Sequence, residues 1–217
     1  MSEAPHGLDR AAEAAAFVMG LRALGVRDTA LLSAMERTSR EGFAPRRFAD
    51  LARADVALPL PCGQTMTAPG VVAAMLLALR VAPGQRVLEI GTGSGWVTAL
   101  LVRLGADVVS VERYAALAEA ASLHLDAAGA RARLLTGDGL ALDDHGPFDR
   151  VLLNGTLDAV PSRLAARLPL GGRLVGGLGG GPTPRLVTVE RSEGGLREEV
   201  GRPLRLQPLV RGAAAAL

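Results

Sequence analysis

Residues Arg86 to Ile90 are an apolar, β-branched run, followed at once by glycines at alternate positions in Gly91-Thr92-Gly93-Ser94-Gly95. An apolar segment at helical spacing, Trp96 to Leu104, comes next. No other stretch limits the fold as tightly. Strand, glycine turn and helix in succession open a nucleotide-binding α/β unit, because only glycine lets bare backbone come that close to a ligand. The spacing narrows the ligand further. Gly91-x-Gly93-x-Gly95 is not the G-x-G-x-x-G of a dinucleotide site, and no Lys follows as a P-loop requires. Instead an acid, Glu89, stands two residues before the first glycine.

The chain has 217 residues, enough for one α/β domain and a modest extra lobe. Aromatic residues are only 3%, so aliphatic side chains and alanine must fill the core. The pI of 9.4 suggests nucleic acid, yet the formal net charge is only +2 and every basic residue is Arg. With one Tyr and one Cys, little titrates between neutrality and the guanidinium range, so a small excess of Arg sets that pI. The arginines are dispersed rather than striped, and no nucleic-acid partner is expected. No window approaches the roughly 18 to 20 apolar residues of a membrane span. Glu13 interrupts the N-terminal alanine run and no basic leader precedes it, so no signal peptide is expected. The single cysteine, Cys62, cannot form an internal disulfide, which points to the cytoplasm. No metal-ligand cluster is expected.

In chain order, residues 1 to 8 read as loose, and Leu8 to Leu24 as a helix ending at Gly25. Asp28 is placed to cap a second helix through Met35, with a short helical piece around Arg47 to Ala52. Residues 54 to 69 carry three prolines and form a long, apolar, ordered loop, of the kind that covers a ligand. Pro69 starts a helix through Leu79. After the glycine turn, strands are expected at Asp107 to Val111, Arg131 to Leu135, Phe148 to Leu153 and Gly172 to Val175. Helices are expected at Tyr114 to Ala128 and Pro161 to Leu168. Leu186 to Arg191 and Leu204 to Val210 read as two further strands, turned at Ser192-Glu193-Gly194-Gly195. The alternation gives an α/β fold: a doubly wound, mostly parallel, Rossmann-like sheet with a small N-terminal helical lobe. Residues 1–80 would hold the lobe and loop, and 81–217 the catalytic domain, together one compact unit.

Acid-x-Gly-x-Gly-x-Gly at a strand end resembles the cofactor motif of S-adenosylmethionine (AdoMet) methyltransferases. That likeness implies AdoMet as cofactor and S-adenosylhomocysteine as product. In open α/β sheets the ligand lies at the carboxyl ends of the strands. Glu89 would organise the glycine loop and attract the amino end of the methionine moiety. Glu112, about twenty residues on, can accept bonds from both ribose hydroxyls. Asp138, between Gly137 and Gly139, could take the adenine amino group, or serve simply as a turn aspartate.

A longer resemblance covers nearly the whole chain. Leu31 to Arg37 and Arg40-Glu41-Gly42-Phe43-Ala44-Pro45 are similar to the front lobe of the protein-L-isoaspartate (D-aspartate) O-methyltransferase family. Leu58-Pro59-Leu60 and Gly63-Gln64-Thr65-Met66-Thr67-Ala68-Pro69 resemble its substrate loop, and Leu88 to Gly95 its cofactor motif. Ser110 to Arg113, Gly137-Asp138-Gly139 and Gly171 to Val175 follow in order. The resemblance implies an enzyme that methylates the free carboxylate of isoaspartyl proteins or peptides; a monomer is expected, though the sequence does not fix whether the chain dimerises. It implies cofactor contacts from Glu89, Gly91, Thr92, Gly93, Ser94, Gly95, Glu112, Asp138 and Gly139. It makes Thr67 the active-site hydroxyl, with capping of the Pro69 helix as its other reading. Leu58, Pro59, Gly63, Gln64, Thr65 and Asn154 would meet the substrate. His6, His124 and His145 are given no catalytic role, His124 because its helix lies away from the strand ends.

The sequence departs from the family at Ala57, at Pro61 and at Asn154-Gly155-Thr156, where Thr-Ala-Ala is usual. An isoaspartyl carboxylate is already ionised at neutral pH, so no general base is required. Two other readings stay open: an AdoMet enzyme acting on another carboxylate, a small molecule or nucleic acid, and a non-catalytic AdoMet-binding relative.

Overall fold

The computed structural model describes residues 5–141, 146–179, 183–212 and 214, with the side chains of 5–10 excepted. Helix α1 (Pro5–Ala23) begins earlier than expected, since proline suits a first helical turn, so residues 5–8 are not loose. His145, and the side chain of His6, lie outside the described part. Gly25 follows α1 in the left-handed conformation, at φ +92°. Asp28 caps α2 (Thr29–Arg37), its carboxylate accepting from Leu31 N at 2.8 Å. Two 3₁₀ turns, Arg40–Phe43 and Arg46–Leu51, lead into the proline-rich segment. That segment is a small hairpin: β1 (Leu58–Pro59) pairs antiparallel with β2 (Thr65–Met66). It turns at Cys62 and Gly63, both at positive φ. Helix α3 (Pro69–Leu79) follows, and its N-cap is Ala68 rather than Thr67.

The sheet then builds through β3 (Arg86–Ile90), α4 (Trp96–Arg103), β4 (Asp107–Glu112), α5 (Ala115–Ala127) and β5 (Arg133–Thr136). It continues through β6 (Arg150–Leu157), α6 (Ser162–Ala166), β7 (Arg173–Leu178), β8 (Arg185–Ser192) and β9 (Gly195–Pro203). Strand order is β5-β4-β3-β6-β7-β8-β9, parallel through β7 and antiparallel beyond. The order reverses beside β3, so the glycine turn stands at the switch point of a doubly wound sheet.

Period-two alternation decides what each strand residue faces. Val87 packs into the cluster under α3 and α4, whereas Leu88 and Ile90 join the opposite cluster with Leu164 and Leu168. The first cluster runs across the 80/81 boundary, joining Leu32, Met35 and Leu58 to Leu100 and Leu101. Fully burying each such leucine contributes about 1.5–3 kcal/mol.

Two strand expectations need correction. The antiparallel edge strand is Gly195–Pro203, not Leu204 to Val210. A two-residue turn pairs Ser192 with Gly195 directly, and the charged Arg197-Glu198-Glu199 suits an exposed edge. The apolar run after it returns over the sheet, and Pro208 meets Thr156. Strand β6 also continues past Leu153 to Leu157, through an irregularity between Leu152 and Thr156. Asn154-Gly155-Thr156 is therefore inside the strand's end, where that returning segment pairs with it.

Candidate active site

At the carboxyl end of β3 the chain turns through Gly91, Gly93 and Gly95 at φ +96°, +56° and +86°, a region unfavourable to any residue with a Cβ. Their surroundings differ. A Cβ on Gly95 would press on Ala121 of α5 at 3.3 Å, and one on Gly91 would meet the Asn154 carbonyl at 3.4 Å. Gly93 N donates to Glu112 Oε2 at 2.9 Å, while Glu112 Oε1 accepts from Tyr114 N at 3.0 Å. Glu112 is thus pinned at the end of the neighbouring strand by two main-chain donors, with lone pairs left over toward the cleft. One strand further out, Asp138 follows β5. Its Oδ1 accepts from Leu140 N, the turn-aspartate arrangement, and its Oδ2 from Gly212 N at 2.7 Å.

A cleft runs along these strand ends. Gly91, Gly93, Glu112, Asp138 and Gly139 line its floor; Gln64, Thr65 and Thr67 come from the hairpin side, and Asn154 from β6. Neighbouring strands lie about 4.8 Å apart, so the ends of β3, β4 and β5 span about 10 Å, suited to an extended nucleoside. Asn154 joins the two sides. Its Nδ2 donates to Gly91 O at 3.0 Å, which leaves Oδ1 to accept from Thr67 Oγ1 at 3.4 Å. No side-chain cap is made at the start of α3, so Thr67's hydroxyl faces the cleft rather than the helix.

Other expected residues lie elsewhere. Glu89 shares a sheet face with Val87, and alternation turns it under the glycine loop toward α4 instead of into the cleft. It is fully buried, and Oε2 accepts from Thr98 Oγ1 at 2.5 Å and Ser110 Oγ at 2.7 Å. Thr92 Oγ1 extends the chain of bonds to Ser110 Oγ at 2.6 Å. Burial raises the Glu89 carboxyl to about 7; the two hydroxyls oppose this and the charge of Glu112 adds to it. Glu89 Oε1 has no hydrogen-bond partner among the described residues. Thr92, Ser94 and Gly95 shape the turn without lining the cleft, and the same holds for Leu58, Pro59 and Gly63 in the hairpin.

Several contributors were not foreseen. Arg113, Tyr114 and Leu140 line the cleft, and Gln207 to Val210 form its outer wall. Gln207 Nε2 donates to Gly63 O at 3.0 Å, tying that wall to the hairpin. Thr156 N donates to Gln207 O and Leu209 N to Thr156 O, each at 2.8 Å. Gly155 permits this approach, since a Cβ there would lie 2.7 Å from Leu209 Cγ. His124 proves close to the site after all: its Nδ1 donates to Ser94 O at 3.0 Å, and Phe43 packs edge-on to its ring. Only the proline and the apolar residues of 204–210 signalled anything, and both suit a strand edge equally well. Among the described residues no cluster of His, Cys, Asp and Glu could hold a metal ion, and no helix is long and apolar enough to cross a membrane.

A switch-point glycine turn with acids closing the next two strand ends defines the Rossmann-like fold of the AdoMet-dependent methyltransferases. Comparison with known proteins narrows this. The family model for protein-L-isoaspartate (D-aspartate) O-methyltransferase matches residues 12–213. A Methylorubrum populi protein-L-isoaspartate O-methyltransferase is 45% identical over 199 residues, covering 90% of this chain and 93% of its own. One from Xanthobacter autotrophicus is 40% identical over 210 residues, covering 95% of each. The chain belongs to the protein-L-isoaspartate (D-aspartate) O-methyltransferase family. In fold it matches a Plasmodium falciparum structure described as a member of that family in complex with S-adenosyl-L-homocysteine. The TM-score is 0.80 at 17% identity, over 90% of this chain and 97% of the other.

Proposed function

We propose that this chain transfers a methyl group from AdoMet to the free carboxylate of L-isoaspartyl residues in damaged proteins or peptides. One observation carries the reading: Asn154 brings the Thr67 hydroxyl from the hairpin against Gly91 of the glycine turn, beside the cleft that holds Glu112 and Asp138.

The residues present suit the cofactor. The positive-φ glycines leave backbone bare where a methionine moiety would lie. Glu112, held by two main-chain N–H groups, keeps acceptor capacity for a ribose diol, and Asp138, which lines the same cleft, would meet the adenine amino group. Glu89 acts from beneath, fixing the turn through Thr98, Ser110 and Thr92. Bound there, AdoMet supplies an electrophilic methyl on a sulfonium.

The protein's own part is alignment and dehydration. An isoaspartyl α-carboxylate has a pKa of about 3.5 and arrives ionised, so Thr67 need not remove a proton. Thr67 can turn its O–H from Asn154 Oδ1 to one carboxylate oxygen and hold the other toward the methyl. Asn154 Oδ1 is then free to accept an N–H of the acceptor peptide. Hairpin residues Gln64 and Thr65 and the wall Gln207 to Val210 enclose the approach; excluding water favours a step in which anion and sulfonium lose their charges together. A single cysteine, Cys62, supports a reducing cytoplasm, and the sparse aromatic content supports a protein that does not bind nucleic acid.

The test is tritium transfer from methyl-labelled AdoMet to an isoaspartyl peptide, its ordinary aspartyl twin and an RNA. Base-labile label on the isoaspartyl peptide alone is expected. Label that survives mild base, or equal label on the aspartyl twin, would overturn the proposal.

A further inference from the structure

Arg40 lies in the 3₁₀ turn after α2, and its side chain is 3% exposed. Its guanidinium donates to five main-chain carbonyls. Nη1 reaches Ala52 O at 3.3 Å and Ala54 O at 3.4 Å; Nη2 reaches Val56 O at 2.9 Å, and Met66 O and Thr67 O at 3.1 Å each. Its Cζ lies 5.6 Å from the centre of the Trp96 ring, the first residue of the helix after the glycine turn. Trp96 Nε1 in turn donates to Thr38 O, two residues before Arg40. Asp55 supplies the facing negative charge, but its Oδ1 accepts from Gly70 N at the start of α3.

A buried cation held mainly by carbonyls adds little net stability, because desolvation offsets much of what the bonds return, although an apolar side chain in its place would leave those carbonyls without their donor. What the planar fork supplies is geometry. It fixes 52–56 and 66–67 in one relation and seats them against the helix that carries the glycine turn. Its last acceptor belongs to the residue whose hydroxyl meets Asn154 in the cleft.

We infer that Arg40 is a positioning residue for methyl transfer, setting where the Thr67 hydroxyl stands relative to the glycine turn. The inference rests on the role given above to Thr67. It requires Arg40 to matter for turnover far more than for cofactor affinity, and to act through Thr67.

The test is a double-mutant cycle in the full-length protein, with Arg40→Met, Arg40→Lys, Thr67→Ala and the combined variants. Melting temperature, S-adenosylhomocysteine affinity by calorimetry, and kcat and KM on an isoaspartyl peptide are read for each. Arg40→Met should lower kcat by about tenfold to a hundredfold. Cofactor affinity should stay within about threefold, and Arg40→Lys should recover only part of the loss. In the Thr67→Ala background the same change should cost less than about threefold, because the group it positions is gone. Should Arg40→Met not fold, Arg40→Lys carries the cycle; failure of both to fold would make Arg40 a structural ion and overturn the inference. So would an unchanged kcat, or fully additive losses with Thr67→Ala. If Thr67→Ala alone keeps full turnover, the assignment of Thr67 falls instead, and the single variant shows it.

Discussion

The two sides of the cleft are built in opposite ways. The cofactor side, Gly91 to Gly95 with Glu112 and Asp138, comes from three adjacent parallel strands whose ends the register brings together. Its polar groups are fixed by short bonds at the strand ends, from Ser110 to Glu89 and from Gly93 to Glu112. The acceptor side is assembled from distant pieces: Thr67 meets Asn154 across 87 positions, and Gln207 meets Gly63 across 144. Where the first is anchored by adjacent strands of one sheet, the second is joined by contacts between segments far apart in the chain, main-chain bonds from Thr156 to Gln207 and Leu209 among them.

The strongest way to sharpen this contrast is Glu112→Ala. Loss of two charge-assisted bonds to a ribose diol should weaken S-adenosylhomocysteine binding about 100-fold or more by calorimetry. Unchanged affinity would remove Glu112 from the cofactor platform.

Glu89 tests the same side through pH. Burial raises its folded-state carboxyl from 4.5 to about 7. The unfolded chain releases this proton near pH 4.5 and the folded chain holds it to about pH 7, so the unfolded state binds fewer protons in between. This contribution makes stability fall as pH rises through that window and level off above it, by about 3 kcal/mol in all. Urea unfolding of Glu89→Gln between pH 4.5 and 8 should show that slope removed. An identical slope in the variant would contradict the assignment.

On the acceptor side, Gly155→Ala places a Cβ 2.7 Å from Leu209 Cγ and 2.8 Å from Gln207 O, so the returning segment must move. KM for the isoaspartyl peptide should rise about tenfold, with cofactor affinity changed much less. The smallest effect belongs to Gln207→Ala, which removes one exposed hydrogen bond worth about 0.5–1.5 kcal/mol. A rise in KM of about threefold is expected, and a larger loss of cofactor affinity than of KM would reverse the division of labour.

The same contrast explains what could be read from the residues. The platform was legible because glycine spacing, the strand-end acids and period two are local signals, and they put Gly91, Gly93, Glu112 and Asp138 at the strand ends, where all four line the cleft. The orientation of Glu89 follows from alternation with Val87, a signal available but outweighed by its closeness to the glycines. Edge strand β9 was missed because exposed charges hide a strand that pairs on one side only, while the apolar run beyond it looked like the better one. The extension of β6 from Leu153 through Asn154 to Leu157 has no local signal, because the irregularity at Leu152 to Thr156 depends on the returning segment. Nothing in the α5 sequence shows that His124 reaches Ser94, 30 positions away.

Single-turnover methyl transfer at saturating AdoMet, compared between Thr67→Ala and Glu112→Ala, tests the separation of the two sides most directly. The rate constant should fall about tenfold to a hundredfold in Thr67→Ala and stay within about threefold of the unaltered protein in Glu112→Ala. Equal losses in both variants, or a loss confined to Glu112→Ala, would contradict it.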